Sequence, residues 1–140
     1  LAVREIYIFG NEVSRTEEAF TDGLGGRLAD TPRGELMTLE DVKLLPNLEV
    51  LYVNYQTLTD ISPVSELKYL KTVSLRHTFV EDISALSSME RLINVCLFDT
   101  HVADLSPLLS LPNLREINVD ESMRGIAATL EDPPFEIKCE

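Results

Sequence analysis

Cys96, His77 and Asp99 are the residues of this chain whose types could support covalent chemistry, as thiolate nucleophile, general base and orienting carboxylate. His77 and Asp99 stand 22 residues apart, and the interval recurs, since Asp60, Asp82 and Asp104 are separated by 22 and again by 22. Residues one period apart lie side by side in a stacked structure, so an ion pair between His77 and Asp99 is expected. Cys96 does not join them: it lies three residues before Asp99, about 10 Å along an extended strand, and diagonal to His77. No glycine loop or helix N-terminus is placed to hold an oxyanion. The expectation is a protein that is not an enzyme. The two cysteines, Cys96 and Cys139, lack zinc-ligand spacing and are too few for a disulfide framework. No metal or other cofactor is expected.

The period extends over most of the chain. Aligned on the aspartates, residues 48–69, 70–91 and 92–113 form three full units, and 114–140 begins a fourth that loses the pattern. Upstream, 3–13 has the front half of a unit and 36–47 the back half, separated by an insertion at 14–33 that contains Gly23, Gly25, Gly26 and Pro32. Each unit is apolar at its positions 1, 4, 6, 11, 14, 17 and 20; in the second these are Leu70, Val73, Leu75, Val80, Ile83, Leu86 and Met89. Alternation at 4 and 6 predicts a short strand. Spacing by three from position 11 onward predicts 3₁₀-like turns rather than α-helices. One unit cannot enclose these side chains, whereas stacked units can. The terminal stretch 135–139 alternates like a strand and is expected to cover the last edge of the stack.

The pattern L-x-x-L-x-L-x-x-[NT]-x-[LIV]-x-D-[IL]-S-P-L resembles a bacterial leucine-rich repeat of the internalin type. It is strong over 36–122, partial over 3–13, and absent over 14–33 and 125–140. The resemblance implies an α/β repeat solenoid of about five units in a single leucine-rich repeat domain. It would have a parallel sheet on the concave face and short 3₁₀ segments on the convex one. It further implies binding of a protein partner, more rarely a glycan, within a larger bacterial protein. A cell-surface or secreted setting is favoured by it, although cytoplasmic repeats of this type exist. A structural spacer or regulatory arm is the alternative from another class.

The repeated aspartates and serines read as architecture. Ser62, Ser84 and Ser106 stand where a helical turn starts and can cap its free N–H groups, with Pro63 and Pro107 directly after. Asp60, Asp82 and Asp104 would bend the connection through local backbone hydrogen bonds. At position 9, Asn11, Gln56, Thr78, Thr100 and Ser122 are expected to point inward and bond neighbouring backbone.

Strand positions 3, 5, 7 and 8 should project from the sheet or its rim. Positions 5, 7 and 8 give a candidate partner-binding set of Tyr7, Phe9, Tyr52, Asn54, Tyr55, Arg76, His77, Phe98, Asp99 and Asp120. Aromatics beside an arginine have the makeup of a binding hot spot. The same rings could instead stiffen the sheet as cross-strand pairs. With 24 acidic against 12 basic residues the net charge is −12, which argues against nucleic acid as a partner. No apolar run approaches the roughly 20 residues of a membrane span, so direct insertion by this segment is not expected. Leu1 in place of methionine points to a piece of a longer protein.

Overall fold

The computed structural model describes residues 3–10, 12–14, 34 and 39–139; apart from Ser14, the predicted insertion over 14–33 lies outside them, as does Asn11. Among the described residues, seven strands form one sheet: β1 (Glu5–Phe9), β2 (Glu12–Ser14), β3 (Val50–Asn54), β4 (Thr72–Ser74), β5 (Asn94–Cys96), β6 (Glu116–Val119) and β7 (Glu136–Cys139). Their order is β2-β1-β3-β4-β5-β6-β7. Every pairing is parallel except β1 with β2.

The register reproduces the sequence period. Leu51 pairs with Val73, Val73 with Val95 and Val95 with Ile117, so position 4 of each unit stacks on position 4 of the next. Single 3₁₀ turns return the chain: Glu40–Leu44, Ser62–Glu66, Ser84–Ser88 and Ser106–Leu108. Their apolar residues, spaced by three, all reach the core; Ile61, Val64 and Leu67, then Ile83, Leu86 and Met89, are essentially inaccessible to solvent. The last unit departs from this form. It has a 3₁₀ turn at Glu121–Met123 running into one α-helical turn, Arg124–Ala127. Strand β7 then covers the edge of β6, as 135–139 predicts.

One detail of the turns differs from the sequence reading and one agrees with it. The serines do not cap: the residues before the turns are Ile61, Ile83 and Leu105, with no side-chain cap bond. The aspartates take that role. Asp60 Oδ1 accepts the Ser62 N–H at 2.8 Å, Asp82 Oδ1 the Ser84 N–H at 2.8 Å, and Asp104 Oδ1 the Ser106 N–H at 2.9 Å. A carboxylate reaches the donor two residues ahead without losing contact with water, which a serine already inside the turn cannot do. These N–H bonds hold all three carboxyls below the ordinary carboxylate value. The like-charged ladder persists because each member is both solvated and satisfied.

At position 9 the bonding is mostly within the unit. Thr78 Oγ1 donates to Leu75 O at 2.7 Å and Thr100 Oγ1 to Leu97 O at 2.9 Å. The longer Gln56 side chain crosses to a neighbour, donating to Gly10 O at 2.5 Å, and Thr100 Oγ1 also reaches Met123 Sδ of the next unit at 4.0 Å. Ser122 is exposed and donates to Asp120 Oδ1. Gly34 bridges to Gln56 and donates to Tyr55 O at 2.7 Å, where a Cβ would overlap both the Gly10 carbonyl and the Gln56 carboxamide.

The N-terminal end is built differently from the rest. Strand β2 folds back antiparallel on β1 after Gly10, whose φ is 57°. Gly10-Asn11 is a hairpin dipeptide, and it is the signal by which this strand could have been anticipated.

Candidate functional site

The site is set by a backbone conformation that repeats at the strand ends. Position 8 of successive units, Gly10, Tyr55, His77 and Asp99, has φ of 57°, 58°, 58° and 53°. For the three non-glycine residues the left-handed region costs roughly 1–2 kcal/mol each. The next unit compensates by accepting each amide: Tyr55 N–H donates to Arg76 O at 3.0 Å and His77 N–H to Phe98 O at 2.9 Å. At the last member no matching carbonyl takes the bond, and Asp120 Oδ2 accepts the Asp99 N–H at 2.6 Å. Burial raises the Asp120 carboxyl, but hydrogen bonds from Ser122, Asp99 and Met123 outweigh it and leave the group below its usual range.

This shared conformation lines up the side chains. The Tyr55 ring stacks on His77 with centroids 4.4 Å apart, and His77 meets Phe98 edge-on at 5.5 Å. Arg76 places its guanidinium 4.4 Å from the centre of the Phe98 ring. Toward β1 the contacts continue through Phe9–Tyr55 at 6.5 Å, Phe9–Tyr52 at 6.4 Å and Tyr7–Tyr52 at 4.7 Å. A run of rings thus extends from β1 and β3 across the segments that follow β3, β4 and β5. Burial raises the Tyr55 hydroxyl above its ordinary value, with Arg76 opposing and Asp99 adding to the shift.

The expected contact forms, with His77 Nδ1 and Asp99 Oδ2 in hydrogen-bond contact 2.6 Å apart. Cys96 pairs in register with Ser74, and among the described residues no hydrogen bond joins it to His77. Nor does any group of three or more potential metal ligands occur among them. No described helix is long and apolar enough to cross a membrane.

Three members of the candidate set are not on the accessible face. Tyr7 and Phe9 are 3% and 7% exposed, forming a small apolar cluster with Val50, Tyr52 and Tyr55 on the side of the sheet away from the main core. Asn54 is 2% exposed, and its Oδ1 accepts from Ser74 Oγ at 2.8 Å and from the Arg76 N–H at 3.1 Å. It ties β3 to β4 rather than facing outward. Tyr52, Tyr55, Arg76, His77, Phe98 and Asp120 are half-buried, and Asp99 is exposed. A second exposed feature, Tyr69 beside Arg91, was not anticipated. Its only sequence signal is an aromatic and an arginine one period apart at position 22.

An internalin C2 (inlC2) of Listeria monocytogenes superposes on the chain with a TM-score of 0.64 at 26% identity, covering 92% of this chain and 60% of that one. The fold is that of the internalin leucine-rich repeats. A second Listeria monocytogenes internalin (inlF) gives a TM-score of 0.62 at 22% identity over 78% of this chain and 33% of its own. The chain therefore spans less than two thirds of either internalin. Comparison of the sequence with protein-family profiles and with curated proteins gave no match.

Proposed function

We propose that this internalin-type repeat is a non-catalytic recognition module that binds a protein partner on the solvent face of its sheet. The observation that carries the reading is the ring run ending in Arg76 on Phe98, held on four neighbouring units. Side chains fixed in advance lose little entropy on binding, so most of their contact energy remains as affinity. Tyr52, Tyr55, Arg76, His77 and Phe98 form the accessible part, with Asp99 and Asp120 as an acidic end matching a partner's basic residues. Tyr7, Phe9 and Asn54 support it from below.

A glycan ligand is less well supported. Sugar stacking needs an open ring face, and Tyr55 and Phe98 each already have a face occupied, by His77 and Arg76. A pure spacer would have no use for half-exposed rings beside an arginine. The test is affinity capture from cells or secretions that the source organism meets, comparing wild type with Tyr55→Ala/Phe98→Ala and with a turn-side control, Leu44→Ala. A protein retained by wild type and the control but lost by the double variant is expected. Equal retention by all three would refute a sheet-face site.

A further inference from the structure

The opposite ends of the strands carry a surface of different chemistry. Backbone bonds join position 2 of successive units into a row: Glu49 N–H donates to Arg4 O at 2.7 Å, Lys71 N–H to Glu49 O at 2.8 Å and Ile93 N–H to Lys71 O at 2.8 Å. Tyr69 and Arg91 lie two residues before Lys71 and Ile93, each on the same rim. Arg4, Lys68, Lys71 and Arg91 are thereby gathered along one edge of a molecule whose net charge is −12.

Two grooves meet at Tyr69. The first, of about 340 Å³, runs between Arg4, Glu49, Tyr69 and Arg91. The second, of about 430 Å³, runs between Lys68, Tyr69, Glu90 and Arg91. Each has one carboxylate. Glu49 is already engaged, by Lys71 Nζ at 2.9 Å and Arg4 Nε at 3.6 Å, which leaves Glu90 as the one acid lining the two grooves that has no ion pair among the described residues. Arg91 holds its guanidinium 4.7 Å from the centre of the Tyr69 ring, and among the described residues no carboxylate lies within ion-pair distance of it. Tyr69 is 43% exposed, more than any buried or half-buried ring of the sheet face. A guanidinium oriented on a ring keeps its outward N–H fork for a bidentate acceptor, and the geometry of that fork matches a carboxylate.

We infer that this edge binds an acidic, extended peptide segment, with its carboxylates on Arg91, Arg4 and Lys68 and its chain laid across Tyr69. The net charge of the whole does not prevent this. At physiological ionic strength the screening length is about 8 Å, so a segment seated in the grooves responds to the cations that line them more than to acids elsewhere. The site is independent of the ring run on the sheet face, and it neither requires nor excludes the same partner.

Fluorescence anisotropy with fluorescein-labelled hexaglutamate, and hexaglutamine as its neutral counterpart, tests the inference at physiological ionic strength. Saturable hexaglutamate binding is expected, with hexaglutamine at least about tenfold weaker. Arg91→Gln and Tyr69→Ala should each weaken hexaglutamate by about tenfold, and Arg91→Lys by less, because charge is kept while the fork is lost. Tyr55→Ala/Phe98→Ala should leave it unchanged, which separates this site from the sheet face. Equal binding of the two peptides, or hexaglutamate binding indifferent to both Arg91→Gln and Tyr69→Ala, would overturn the inference. Displacement of the peptide by hyaluronan at lower concentration, dependent on Arg91, would overturn the peptide assignment in favour of an acidic glycan.

Discussion

The turn side of this solenoid repeats itself and the sheet side does not. Behind the sheet, Asp60, Asp82 and Asp104 make the same bond to the second amide ahead at 2.8, 2.8 and 2.9 Å, and the three apolar positions of each turn are sealed in the same way. On the sheet side, position 7 is Phe9, Asn54, Arg76, Phe98 and Asp120, of which Arg76, Phe98 and Asp120 are accessible, and position 5 is equally mixed. A stack of units demands one geometry at every return turn, so one solution recurs. The face has no such demand beyond the left-handed strand end, and each unit is free to present different chemistry. Where a repeat protein stops repeating is where its specificity is written.

The largest expected effect comes from breaking the repeated side. Leu86→Ala, at the centre of the Ser84–Ser88 turn and wholly buried, should lower unfolding free energy by about 3 kcal/mol in urea titration. A smaller effect tests the aspartate ladder. The folded carboxyls lie below their ordinary 3.8 because the Ser62, Ser84 and Ser106 N–H groups favour the charged form. Their contribution is therefore complete above the unfolded value and is lost as pH falls through the lower folded values. Asp60→Asn/Asp82→Asn/Asp104→Asn keeps the acceptors and removes the titration. Its urea midpoint should fall less than that of wild type between about pH 5 and about pH 3, and parallel curves would show the bonds to be energetically idle. The smallest effect on stability is expected on the face: Phe98→Ala should cost about 1 kcal/mol, the scale of a ring–ring and ring–cation contact.

The same contrast decided what could be read from the sequence. Apolar positions at fixed intervals translate directly into strand, turn and core, because every unit restates them; Leu51, Val73, Val95 and Ile117 fell where their spacing placed them. The local backbone bond of Asp60 was legible in the sequence, but the failure of Ser62 to cap was not, since only the turn's exact start decides whether the serine precedes it or lies inside it. At the N-terminal end, Tyr7 and Phe9 sit at face positions and are nevertheless buried with Val50 and Tyr55, because the first unit makes a second apolar cluster that no later unit repeats. Left-handed φ at Tyr55 and His77 was hidden as well. A tyrosine does not announce it, and although Gly10, His77 and Asp99 in the same row are types enriched there, none of them marks it alone. Lateral ring pairing such as Tyr7 with Tyr52 was legible as a cross-strand alternative, whereas the stacking of Tyr55 on His77, which depends on that φ, was not.

Recognition of a protein partner on the sheet face is the central claim, and site-specific photo-crosslinking tests it most directly. A benzophenone side chain placed at Phe98 on the face is to be compared with one at Leu109, which is 41% exposed on the turn side. A discrete cross-linked protein from position 98, absent from position 109 and suppressed by excess wild-type chain, is the predicted result. Cross-linking from position 109 alone, or equally from both, would contradict it.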